Sequence, residues 1–140
     1  MGNNRITLKE AEGFHGHLGP YLVLGLLAGE IALKKLRCRK YFCLKVRVWG
    51  ATKKPKSCLI DGLQLSTGST YGKGNIRQLN GSAIKVGFCN RTYRKKIILE
   101  LKDDLIRKLN KTNTHKDSEL LAKKLYKTEH TKLFNLQLTA

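Results

Sequence analysis

Residues 18–37 are apolar on almost every side of a helical turn, the pattern of a helix buried from all directions. Gly25 and Gly29 share one face of it and admit the close approach of another helix, from the same chain or from a second copy. Residues 42–49 then switch to alternation, Leu44, Val46 and Val48 against Lys45 and Arg47, the period of a strand with one covered face. Leu59, Ile60 and Leu63 return to helical spacing and predict a second helix over 57–66. In 83–89, Ile84, Val86 and Phe88 point inward and Lys85 outward; a turn over 90–93 leads to a further strand at 95–101, so the pair reads as a hairpin. Two short helices are expected at 103–109 and 117–126. The polar loop 110–116 lies between them, and Asp117 or Ser118 serves as the second cap. Phe134, Leu136 and Leu138 alternate with Asn135 and Gln137 in a last strand, and 8–13 form a short helical lead-in. The order α-β-α-β-β-α-α-β predicts one α+β domain over 1–140, without repeat or linker.

At 140 residues, 41% apolar and with two prolines, the chain is long and apolar enough for a real core. Its longest apolar stretch, near 21–28, falls short of the roughly 20 residues of a membrane span and is read as a buried helix. No apolar run with a small-residue cleavage site follows a basic start, so a cytoplasmic location is expected. The four cysteines, at irregular spacings, are expected as reduced thiols. Cys43 and Cys89 are read as small core residues in strands, and Cys38 as a helix-end residue. The formal charge of +18 admits nucleic-acid binding as a function class. Yet the lysines and arginines recur in every element and no recognition motif accompanies them. A solvated basic surface that attracts anions is the favoured reading.

Chemistry concentrates in two segments. In Phe14-His15-Gly16-His17 an extended backbone turns His15 and His17 to one side, towards one object; the plainer alternative is a pair of exposed or capping histidines. From Cys58 a helix carrying a thiol and a carboxylate runs into the polar loop 67–75, which holds Gly68, Gly72 and Gly74. Ser57 at the cap, with Lys53, Lys54 and Lys56 nearby, favours Cys58 as thiolate. A thiolate and two imidazoles suit zinc, or iron, and a His15/His17/Cys58 triad leaves one coordination position open. The long helix and the strand after it have nearly equal lengths, so the chain can return Cys58 to the histidines. Asp61, one turn on, is either a ligand or the group that orients a histidine, and it joins Cys58 as a candidate catalytic residue. Gln64, Thr67, Thr70, Lys73 and Asn75 are candidate substrate contacts. The rival chemistry is a Cys58 nucleophile with His15 or His17 as base, acting on a small anionic substrate. A third reading makes Cys58 merely a buried helix start. The loop fails as a P-loop, because its glycine spacing is one short and Gly74 replaces the metal-binding hydroxyl.

Together the segments resemble the FmdE family of formylmethanofuran dehydrogenase proteins. Its pattern is Phe-His-Gly-His, an apolar helix, then Cys-x-x-Asp-x-x-Gln-x-x-Thr-Gly-x-Thr-x-Gly-Lys-Gly-Asn. The chain matches at Phe14, His15, Gly16, His17, Pro20, Cys58, Asp61, Gln64, Thr67, Gly68, Thr70, Gly72, Lys73, Gly74 and Asn75, and the resemblance covers nearly its whole length. It departs at Gly19 and Ser69, where many relatives carry cysteine, and it has no Cys-x-x-Cys to form the C-terminal zinc finger of some relatives. The resemblance implies a mixed four-stranded sheet covered by the first two helices, similar to the C-terminal domain of glyceraldehyde-3-phosphate dehydrogenase (GAPDH). It also implies a homodimer and a place near the molybdenum or tungsten enzyme that fixes carbon dioxide onto an amine carrier in the one-carbon metabolism of methanogenesis. Lacking Fe–S cysteine sets, this chain is not expected to run that reaction itself. The expectation is a metal-binding protein, accessory or stand-alone, with a basic nucleic-acid-binding protein and a cysteine-nucleophile enzyme as the alternatives.

Overall fold

The computed structural model describes residues 5–139. Thr7 caps the first helix, α1 (Leu8–His15), in a reciprocal box with Glu10, and Gly16 ends it in left-handed backbone at φ 107°. Pro20, with fixed φ and no amide hydrogen, opens α2 (Pro20–Lys35). There follow β1 (Leu44–Trp49), α3 (Cys58–Thr67), β2 (Ile76–Leu79), β3 (Lys85–Asn90), β4 (Lys96–Leu101), α4 (Asp103–Asn110), α5 (His115–Tyr126), a 3₁₀ turn (His130–Lys132) and β5 (Phe134–Thr139).

The sheet has five strands in the order β2-β1-β3-β4-β5, not the expected four. The additional strand, β2, buries little beyond Ile76, too short a signal to separate from the glycine-rich loop before it. It runs parallel to β1, with α3 in the crossover between them; the other pairings are antiparallel. Leu44, Val46 and Val48 of β1, Val86 and Phe88 of β3, and Ile97 and Leu99 of β4 share one core with the apolar faces of the helices. The opposite face, which carries Lys45, Arg47 and Lys96, is open. At the far edge Phe134 is buried, but Leu136 and Leu138, further along β5, remain 44% and 63% exposed.

Helices α2 and α3 pack backbone against backbone. A Cβ on Gly25 would lie 2.2 Å from the Leu59 carbonyl oxygen, and one on Gly62 2.1 Å from that of Leu22. Ser66 seals the contact: its hydroxyl lies 2.9 Å from the Gly62 carbonyl oxygen and 3.2 Å from that of Gly25. The close approach expected of Gly25 and Gly29 is thus internal to the chain.

Three local expectations are corrected. Cys38 and Cys43 are not reduced thiols: they form a disulfide, with Cα atoms 5.6 Å apart, across the turn between α2 and β1. Left-handed backbone at Arg37 and Tyr41 bends the chain back far enough to reach that range. Cys89 is not a core residue; it pairs with Lys45 in the ladder and so lies on the open face, half-buried. Helix α5 is capped by Thr114, whose side chain accepts from the Asp117 amide, and not by Asp117 or Ser118.

Substitution tests the helix contact directly. Gly25→Ala forces the two backbones apart and is expected to destabilise by about 1–3 kcal/mol. Gly13→Ala meets nothing within 4 Å and should stabilise α1 by about 0.5–1 kcal/mol. Thermal melts should therefore move in opposite directions, and equal shifts would contradict the packing described.

Candidate functional site

His15 is the last residue of α1 rather than part of an extended segment; the left-handed Gly16 then brings His17 back beside it, ring centres 4.8 Å apart. Docking of α3 on α2 carries Asp61 to the same place, where its Oδ2 accepts from His15 Nδ1 at 2.6 Å. The opposite nitrogen, Nε2, is buried and has no hydrogen-bond partner, the sole such side-chain atom among the described residues. In a neutral imidazole whose Nδ1 donates, Nε2 carries a free lone pair. Cys58, one turn before Asp61, shares with His17 a cleft of about 120 Å³.

A further histidine stands here. Because Thr114 caps α5, His115 is its first residue, with its ring centre 5.6 Å from that of His17 and its side chain lining the same cleft. Sequence reasoning passed over it by starting this helix two residues late; Thr114 followed three residues on by Asp117 was the available signal. His15, His17 and Cys58 are not drawn into one cage: among the described residues no three His, Cys, Asp or Glu side chains stand close enough together to hold an ion as a set.

Cys58 opens α3 as expected, but not as a favoured thiolate. Burial pushes its thiol up first, the Asp61 carboxylate adds to this, and Lys54 offsets them only in part. Ser57 has helical backbone and makes no capping bond through its side chain.

The candidate substrate contacts hydrogen-bond within and around the glycine-rich loop, Thr67 and Asn75 buried and Lys73 exposed. Gln64 Oε1 accepts from the Tyr71 amide at 3.1 Å, and the buried Thr67 hydroxyl donates to the Leu63 carbonyl at 2.6 Å. Asn75 joins the loop to its neighbour, accepting from the Thr70 amide and donating to the Tyr41 carbonyl. Thr70 Oγ1 accepts from the Lys73 amide, and the Lys73 ammonium donates to the Gly68 carbonyl beneath the rings of Tyr41 and Phe42. The loop is thus seated on the disulfide-closed turn. Gly68, at φ 76°, lets it approach Tyr41, where a Cβ would clash at 2.6 Å.

The thiols give a clear readout. Without reductant, Cys58 and Cys89 should take up an alkylating reagent while Cys38 and Cys43 do not. A raised thiol pKa means less thiolate at neutral pH, so the Cys58 rate should keep climbing past the ordinary thiol range. A plateau already reached near neutrality would contradict the Asp61 and burial effects.

Comparison with known proteins places the chain. The model of the family described as "FmdE, Molybdenum formylmethanofuran dehydrogenase operon" matches residues 14–138. A probable S-adenosyl-L-methionine-binding protein of Archaeoglobus fulgidus is 34% identical over 74 residues, 52% of this chain. The chain spans only 20% of that relative's length. In three dimensions it is similar to a tungsten formylmethanofuran dehydrogenase FmdE-like protein from Syntrophus aciditrophicus. The two align with a TM-score of 0.65 at 19% identity, covering 94% of this chain and 69% of that one. No helix among the described residues is long and apolar enough to cross a membrane. The family match begins at Phe14, takes in both site segments and ends in the last strand, so the chain belongs to the FmdE family.

Proposed function

We propose that this is a metal-binding member of its family, serving a formylmethanofuran dehydrogenase system as an accessory protein. One observation carries the reading: His15 is fixed through Nδ1 by Asp61, with Nε2 buried and unpartnered. A carboxylate behind an imidazole whose other nitrogen is free is the arrangement that orients histidine ligands and raises their basicity. The His17 ring lies 4.8 Å from that of His15, centre to centre, and Cys58 of α3 lines the same cleft as His17. This donor set fits a borderline ion such as zinc, with iron as the alternative. Ligation by all three requires the His17 and Cys58 side chains to turn towards His15 Nε2, and Cys58 to give up its proton in the process.

The division of labour follows from the chemistry. His15 supplies the fixed ligand and Asp61 holds its tautomer. His17, exposed on its glycine hinge, is the adjustable one, and Cys58 brings the negative charge. These three groups would leave a bound ion accessible from the cleft, where its chemistry would be that of a Lewis acid.

Zinc titration by calorimetry on metal-free protein, with metal content measured in parallel, tests the reading. Asp61→Asn should lower affinity by about 10–100-fold, the range for an outer partner, with the fold intact. His15→Ala and Cys58→Ser should lower it further. Wild-type affinity in His15→Ala would overturn the proposal.

A further inference from the structure

The open face of the sheet is a built surface, not merely an uncovered one. Residues paired across neighbouring strands project to the same side. Arg77 of β2 therefore stands beside Arg47 of β1, and Lys45 of β1, across Cys89, lines up with Lys96 of β4. Arg91 and Arg94 extend the patch at the β3–β4 hairpin, where Tyr93 is 72% exposed. The acid of this face, Glu100, lies 3.9 Å from Lys85, and no ion pair among the described residues neutralises the other cations. Like charges set directly opposite each other, as Arg47 and Arg77 are, oppose pairing of the strands. An arrangement of that kind is relieved by an anion.

Trp49, the lone tryptophan of the chain, lies along this face. Gly87 makes room for it: a Cβ there would sit 3.0 Å from the Trp49 ring. The indole borders a shallow concavity of about 480 Å³ walled by Lys45, Arg47, Arg91, Arg94 and Lys96. A flat aromatic set among cations on a strand surface is the arrangement that stacks a base while holding the phosphates on either side. A second copy of this chain is a poor occupant, because two such faces repel.

We propose that this face binds single-stranded nucleic acid, with Trp49 as the stacking platform and Arg47, Arg77 and Lys96 as phosphate contacts. Charge supplies most of the affinity and the indole selects an unpaired base over a duplex, without sequence preference. The surface is separate from the histidine cleft and does not depend on its loading.

Trp49 fluorescence reads the site directly. An oligo-dT of about 15 nucleotides, near the span of one binding module, should quench it in low salt, and affinity should fall linearly with the logarithm of salt concentration. Arg47→Glu/Lys96→Glu should weaken binding by at least about tenfold and flatten the salt slope by about 0.7 for each phosphate contact removed. Lys9→Glu/Lys116→Glu makes the same change in net charge on exposed first turns of α1 and α5, and should weaken binding less than threefold, roughly. Arg47→Gln/Lys96→Gln is the milder pair, used if the reversal disturbs the melt. Equal losses in the face and control variants would overturn the proposal, as would binding without quenching. Displacement by polyglutamate of matched charge as readily as by oligo-dT would reduce the face to a charge patch and overturn it too. So would a dimer in light scattering that the face variants dissociate, since the surface would then be an interface between copies.

Discussion

The contact between Gly25 and Gly62 fixes everything that follows it in space. With no side chain on either glycine, α2 and α3 meet at backbone distance, and Ser66 closes the joint through two carbonyl oxygens. Any residue larger than glycine would push the start of α3 away from the end of α1. His15 and Asp61, 46 residues apart in sequence, meet at 2.6 Å because that joint sets the height of α3 against α2. The chemistry of the cleft is therefore positioned by a packing feature that contains no chemically active group.

Much of the architecture was legible in the sequence because its periods are strong. Helix α2 is apolar on almost every side, and β1, β3 and β4 alternate, so element type and inward face followed directly. The parts that were not legible are those decided by non-local geometry. Strand β2 is ordered by parallel pairing with β1 more than by its own pattern. The Cys38–Cys43 bond depends on left-handed backbone at Arg37 and Tyr41, neither a glycine.

Around the cleft, the two segments that meet were legible, and the contacts their side chains make were not. Cations near Cys58 in sequence argued for a thiolate, yet desolvation and Asp61 outweigh Lys54 once the helix is docked. Polar residues in the glycine-rich loop read as ligand contacts; in the structure Gln64, Thr67, Thr70 and Asn75 also satisfy amides and carbonyls of the loop and of the helix before it. His115 comes from a helix that packs on α2, a neighbour relation no local pattern reveals.

The exposed leucines of β5 carry a consequence for how copies of this chain meet. Leu136 and Leu138 sit on an edge strand whose outer backbone groups have no partner strand among the described residues, the template for pairing with another chain. Among the described residues this edge strand carries no proline and pairs in continuous register with β4, without a bulge. Its protection is long-range: at +18, two approaching molecules repel before their edges come into register. That guard acts over a Debye length, about 10 Å at moderate ionic strength and about 3 Å in molar salt. The surface charge of this fold thus sets its colloidal behaviour, and edge-to-edge growth of the sheet is held off by electrostatics rather than by shape.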